Sequence, residues 1–322
     1  STMNRLNCVG INALGSVVHG DMNGVQITGL ANLAGGTMRG VQLAGISNIS
    51  GNNTVGLSAA GLVNITGDRT QGVIISGLTS IGGDNTSGLM ISGFMNVTGN
   101  MASGLHFSGA ANITGQSFGG LMASGLLNVV GEHMNGLQIA GIANITASKL
   151  NGMQIALCNY ATQARGLQIG LVNYYKEDMK GFQLGLVNAN PDTRVQMMVY
   201  GGNATPANIG VRFKNQLFYT ILGVGSMYQG LNDKFSASAS YRAGLSFPLY
   251  KGLSISGDLG YQHIEAFDNK DEVIPKRLYA LQARANLEYQ FTRKFGIFAT
   301  GGYGLTRFYN KSSNYDKGAI IE

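Results

Sequence analysis

Two patterns of apolar and polar positions divide the chain. Over residues 20–190, short stretches alternate with a period of two and are cut by glycines at fixed intervals. In the unit GLHFSGAANITGQSFG that starts at Gly104, Leu105 and Phe107 alternate with His106 and Ser108. Gly109 breaks the run, and Ala110 and Ile113 flank Asn112. Such alternation marks a strand, and no window repeats at the helical i, i+3, i+4, i+7 spacing. From about residue 195 the alternation becomes long and unbroken. Phe235, Ala237, Ala239, Tyr241, Ala243, Leu245 and Phe247 share one face of a strand. Its other face holds Ser236, Ser238, Ser240, Arg242, Gly244 and Ser246. Segments 253–263 and 279–291 read the same way; 195–202, 207–214, 216–228, 295–309 and a run beginning near 317 bring the total to about eight strands.

The glycines of the first part recur every 16 residues from Gly24 to Gly152, with parallel series from Gly29 to Gly141 and from Gly35 to Gly131. Asn32, Asn48, Asn64, Asn96, Asn112, Asn128 and Asn144 form a fourth series, with Ser80 as the exception. A unit of this size cannot bury its own apolar face, so stacking is required. The repeat predicts a β-solenoid over residues 1–192, with about eleven coils of 14–16 residues and a length of roughly 50 Å. The asparagines are predicted to hydrogen-bond from coil to coil, as amide ladders do. The first coil, 8–23, fits the unit loosely. The last units shorten: Gly152 to Gly166 is 14 residues and Gly166 to Gly181 is 15.

Residues 193–322 predict an antiparallel sheet closed as an outer-membrane-type β-barrel of about eight strands. Strands this long exceed those usual in soluble proteins and can cross a tilted bilayer path. Connections alternate between tight (214–216, 250–251, 292–294) and long and polar (230–234, 265–276, 310–316). Tyr219, Tyr228, Tyr241, Tyr250, Tyr261, Tyr279, Tyr289, Tyr303 and Tyr309 fit an interfacial girdle. Arg242, Asp258, Arg284 and Glu288 then line a polar interior in which opposite charges pair. The alternative is a soluble sandwich or lipocalin-like barrel, with the apolar face inward.

Composition narrows the function. The net charge of +6 lies mostly in the C-terminal part and forms no dense basic run, which argues against a nucleic-acid partner. No enzyme constellation is present. The acids of the regular coils, Asp68, Asp84 and Glu132, fall in a variable polar turn, and His19, His106, His133 and His263 lack metal-ligand spacing. No cofactor is expected. Cys8 and Cys158 lie about nine coils apart, beyond disulfide reach, and are expected to be small buried residues. Thr66, Thr98, Thr114 and Thr146 form a ladder too interrupted for ice binding. One stripe, two residues after each first glycine, is polar at its ends and apolar in its middle. Read as outward-facing, Ile74, Met90, His106 and Met122 are predicted to dock a partner.

The units GLQIGLVN (166–173), GFQLGLVN (181–188) and GLQIAGIANI (136–145) resemble the tandem repeats of surface-repeat proteins from Bacteroidota, spirochaetes and other double-membrane bacteria. The resemblance covers residues 20–190, except that Ser58, Ile74, Met90, His106 and Met122 stand where those repeats carry Gln. It implies an exported envelope protein. Together with the barrel pattern, it leads us to expect a non-enzymatic outer-membrane protein acting as scaffold, adhesin or subunit of a membrane complex. Its expected partners are outer-membrane lipid and another envelope protein. A transport or ligand- or glycan-binding protein is the alternative. An even strand count places the solenoid in the periplasm and the resemblance places it at the cell surface; both stay open. The chain stops mid-strand by pattern at Glu322, so further sequence is expected beyond it.

Overall fold

A computed structural model of the chain describes residues 2–202, 205–226, 236–267, 277–292, 294–309 and 320–321. These residues form strands and no helix, in two compact units, Ser1–Leu184 and Gly185–Glu322. The second unit claims residues 185–190 through its own hydrogen bonds. Tyr241 donates to the Gly185 carbonyl, Thr220 to that of Leu186 and Asn215 to that of Asn188.

The first unit is a β-solenoid of about twelve turns. Each regular coil contains a strand of seven or eight residues, bent at its glycine, and a strand of four. Met101–Ser108 and Ala111–Thr114 are one such pair. Coils stack in parallel with like positions aligned: Gly88, Gly104 and Gly120 are register partners, as are Asn96, Asn112 and Asn128. One turn more than expected arises because residues 2–18 also stack. Thr2–Met3 pairs with Val17 and Val18, and Val9–Asn12 with Val25–Thr28. At the other end the shorter coils keep the glycine register, Gly152 to Gly166 to Gly181. The missing residues are absorbed by shifts between Thr146 and Lys149 and between Ala161 and Gln163.

Glycine is required at the corners for two reasons. Gly120 has a φ of +129°, a region that other residues resist, and a Cβ there would collide with the Gly104 carbonyl oxygen. Gly115 has no unusual φ, yet its Cβ would strike the Gly99 carbonyl oxygen. The coils touch backbone to backbone at these points.

The inside of the coil holds the polar set. The alternating pattern is as expected, but the face turned inward is the opposite one. Gln26, Gln42, Gln138, Gln154 and Gln168 are fully buried, while Leu30, Ile46, Leu62, Leu78, Phe94, Leu126 and Ile142 are exposed. The reversal is sustained because most of these amides bond to a neighbouring coil. Asn96 Nδ2 donates to Asn112 Oδ1 at 2.8 Å and to the Phe107 carbonyl at 2.8 Å, and Asn112 continues to Asn128 and the Ala123 carbonyl. Where Ser80 interrupts the column, Ser76 and Ser92 lie 2.7 and 2.9 Å from its hydroxyl and bridge the gap. Gln42 donates to Gln26 and Gln154 to Gln138 in a second column. Apolar core comes mostly from the third side of the coil, at Met22, Met38, Phe118, Met134 and Leu150.

The second unit is an antiparallel meander of seven strands: Arg194–Tyr200, Ala207–Asn215, Phe218–Ser226, Ser236–Tyr250, Leu253–Ala266, Arg277–Gln290 and Gly296–Tyr309. Ile320–Ile321 pairs antiparallel with Leu305 and Gly304 of the seventh strand. Phe235, Tyr228 and the expected loops at 230–234 and 310–316 lie outside the described residues.

Replacing Asn112 by alanine breaks the ladder in both directions: Asn96 keeps the Phe107 carbonyl but loses its Asn112 acceptor, and the buried Asn128 Oδ1 and the Ala123 carbonyl lose the Asn112 donor. A loss of about 1–3 kcal/mol is expected, read as a lower unfolding midpoint by circular dichroism. Ser80→Asn should be neutral or stabilising in the same assay, because it restores the column.

Candidate functional site

The predicted docking stripe is not on the surface. Ile74, Met90, His106 and Met122 are 3, 1, 1 and 0 % exposed. They fill the inner column that Gln occupies in other coils, so they form no patch for a partner. Period-two alternation tells which residues share a face; it does not tell which face is inside. His106 packs edge-on against Phe118, with ring centroids 4.9 Å apart, and its Nε2 has no hydrogen-bond partner. Burial holds its imidazole down at about 4, so the ring is neutral in the fold.

The asparagine ladder, in contrast, is assembled as expected. Asn32, Asn48, Asn64, Asn96, Asn112, Asn128 and Asn144 are all buried and linked along the stack, and the ladder continues through Asn159 to Asn173. Both cysteines are exposed and free, against the expectation of burial. Cys8 stands at a corner, in the place the next coil gives to Gly24. Cys158 sits at an outward position of its strand, aligned with Ala143 and Val172.

The four predicted interior residues of the sheet come together on one face. In the fourth to sixth strands the small and polar residues are buried: Ser238, Arg242, Ser246, Ser256, Asp258, Gln262 and Asn286. The apolar residues between them face out, with Leu259 68 % and Leu281 61 % exposed. Arg212 of the second strand donates to Glu288 of the sixth at 2.7 Å. On a flat sheet those strands lie about 19 Å apart, at about 4.8 Å per spacing. The sheet therefore curls strongly toward its polar face. The curl also brings Tyr200 of the first strand to 6.1 Å from Phe298 of the seventh, ring centre to ring centre, and sets Arg242 over the Tyr200 ring.

A hydrogen-bond network runs across this concave face. Tyr219 Oη donates to Asp258 Oδ2 at 2.8 Å, and Asn286 Nδ2 donates to the same oxygen at 2.8 Å. Ser256 donates to Glu288 Oε1 at 2.6 Å, and Thr300 to Asn286 Oδ1 at 2.7 Å. The Arg212 guanidinium stacks 4.0 Å over Tyr219. Arg284 pairs with Gln282. Sequence reasoning missed Arg212, Tyr219 and Asn286 as members of this network. Tyr219, expected in the girdle, is buried, whereas Tyr250, Tyr261, Tyr289 and Tyr303 are exposed. Its place in the period-two pattern, in phase with Ile221 and out of phase with Thr220 and Leu222, carried no clear signal because both faces of that strand contain apolar residues.

Beside the network lies a cavity of about 390 Å³, lined by Tyr200, Arg242, Gln262, Gln282, Arg284 and Thr300 among others. Among the described residues, no group of three or more His, Cys, Asp or Glu side chains is placed to hold a metal, and no helix is long and apolar enough to cross a membrane. Comparison with family models, curated proteins and solved structures gives no match for this chain.

Two outcomes follow. Glu288→Gln leaves the buried Arg212 charge unpaired and should cost about 3–5 kcal/mol in equilibrium unfolding; Arg212→Met combined with Glu288→Met should recover most of it. For His106, the folded value lies below the unfolded 6.5, so the neutral ring supports the fold. That stability is complete above pH 6.5 and falls as pH drops toward 4, by about 3 kcal/mol at the limit. His106→Met should abolish this part of the pH dependence of unfolding.

Proposed function

We propose that the C-terminal sheet closes into a β-barrel spanning the outer membrane of a double-membrane bacterium. The protein then acts without enzymatic chemistry, as an envelope scaffold, adhesin or subunit of a larger membrane complex. One observation carries this reading: the sheet is inside-out. Its concave face is a hydrogen-bonded polar network holding Arg212, Arg242, Asp258 and Glu288, and its convex face is apolar. A soluble barrel has the opposite arrangement. A membrane barrel needs this one, because lipid contacts the outside and every backbone group must be satisfied between strands. The nearness of Tyr200 to Phe298 supports closure, and the exposed Tyr250 and Tyr289, at strand ends, fit interfacial positions. The resemblance of the repeats to envelope surface-repeat proteins points to the same compartment, with membrane lipid and another envelope protein as partners and no nucleic acid.

The second reading, a ligand-binding or transport protein, is favoured by the cavity beside Arg242 and Arg284. An interior of this strand number is largely filled by side chains, so a wide pore is not expected. Conductance steps in planar bilayers would favour this second reading.

Unboiled protein should migrate faster than boiled protein on gels, and the band should fractionate with the outer membrane. Leu281→Arg, on the convex face, should cost about 2–4 kcal/mol if that position lies at the bilayer midplane, and less toward its edges. Soluble protein without a mobility shift would overturn the barrel.

A further inference from the structure

The solenoid surface is as unusual as that of the sheet, and in a more restrictive way. Between Cys8 and Tyr175 the chain has eight charged residues: Asp21, Arg39, Asp68, Arg69, Asp84, Glu132, Lys149 and Arg165. All eight fall in the short stretch that separates the end of one four-residue strand from the first glycine of the next coil, the third side of the coil. The other two sides, residues 8–18, 24–34, 40–50 and so on to 166–175, contain no Asp, Glu, Lys or Arg in any of eleven coils. Their outward positions are Leu, Ile, Val, Phe, Met and Ala with a few small polar residues or tyrosines, and Leu30, Leu62, Leu78, Phe94, Leu126 and Ile142 stand 45, 47, 45, 53, 48 and 52 % exposed around one corner.

From this segregation we infer that the solenoid is itself a lipid-embedded element: an amphipathic prism lying along a membrane, with two apolar sides in the hydrocarbon of one leaflet and the charged side in water. The inference extends the membrane reading of the sheet. Four arguments favour lipid over a protein partner. Two sides of a stack of eleven coils at about 4.8 Å, each about 15 Å wide, offer on the order of 1,500 Å², well above the largest apolar patch of an ordinary monomer. Protein interfaces of that size carry a polar rim and regular hydrogen bonds, and these two sides have no charged group to supply a rim. Within the stack the backbone bonds to itself: the strands pair coil to coil, and at the corners Gly109, Ala110 and Ala111 donate to Ser92 and Phe94 carbonyls, as their equivalents do in other coils. That condition is the one hydrocarbon imposes. Finally, a prism with sides of about 15 Å is about 13 Å deep, which matches half of a hydrocarbon core of about 30 Å.

The buried polar columns fit the same picture. In water, turning Gln and Asn inward and Leu and Ile outward gives up the hydrophobic driving force. In lipid, the ladder amides are better inside, bonded to each other, and the aliphatic side chains are better outside.

The test uses the full chain in a background carrying Cys8→Ser and Cys158→Ser. Single cysteines are introduced by Leu62→Cys and Leu126→Cys on the apolar sides, Asp68→Cys and Glu132→Cys on the charged side, and Leu259→Cys on the sheet. Each is labelled with an environment-sensitive fluorophore after reconstitution into phosphatidylcholine–phosphatidylglycerol vesicles. All five sites point outward, so folding is retained, as the β-sheet circular dichroism of each variant checks. Labels at 62 and 126 should lose fluorescence to acyl-chain spin-labelled lipid and resist aqueous iodide; labels at 68 and 132 should do the reverse. Iodide quenching at 62 and 126 equal to that at 132 would overturn the inference. Protection of 62 and 126 from both quenchers would also overturn it, and would assign those sides to a protein partner or a second copy. The label at 259 separates the two readings: lipid quenching there, without it at 62 and 126, removes only the embedded solenoid, whereas its absence at 259 removes the membrane barrel whatever the result at 62 and 126.

Discussion

Stacking without slip is the constraint from which the solenoid follows. Each coil lies on the last with glycine over glycine and carbonyl oxygen against Cα, so closely at Gly115 and Gly120 that a methyl group has no room. A shift of one residue would turn every inward side chain outward and set a bulky residue at a corner where backbones touch. The same alignment carries the asparagine ladder, since an Asn side chain reaches its equivalent only when the two coils are in register. The sixteen-residue period is therefore a backbone requirement first. The amide columns and the outward aliphatic rows are consequences that it makes possible.

Both units answer one question in the same way. A buried amide or charge is costly unless bonded, and an aliphatic side chain is costly in water. In the solenoid the amides find partners by translation along the stack. In the sheet, where no two strands are alike, Asp258, Asn286, Ser256, Glu288 and Arg212 find each other by curvature. The polar interiors are thus of different character. One is a periodic column that tolerates a substitution such as Ser80, because Ser76 and Ser92 close the gap. The other is a unique constellation in which each member has a distinct role.

Much of this was legible in the residues. The glycine intervals define the stack, its coil length and the corners, and the asparagine series locates the ladder. Long alternation from residue 195 onward locates the antiparallel strands, most within one or two residues. What the pattern did not reveal was orientation. Gln26 and Val25 alternate equally well whichever of them is inside, and general experience with soluble cores favours the wrong choice. That single inversion sent Ile74, Met90, His106 and Met122 to the surface, where they are not, and left Leu62 and Leu126 unnoticed as the exposed set. One signal could have decided it: Asp, Glu, Lys and Arg avoid two of the three sides in every coil. The interior of the sheet was found for Arg242, Asp258, Arg284 and Glu288 because long charged side chains on an alternating strand identify the polar face. Tyr219 escaped because a tyrosine suits either face.

Because each coil meets only its neighbours, through the same glycine corners and strand register, the number of coils is a free variable of this architecture. Loss or gain of one sixteen-residue unit between Gly40 and Gly136 would change the length by about 4.8 Å and leave corners, columns and side character as they are. The shortened coils after Gly152 do not share this freedom, since their register shifts are particular to their place. Length in this protein is thus heritable in discrete steps, so that related chains can differ in reach while sharing a cross-section.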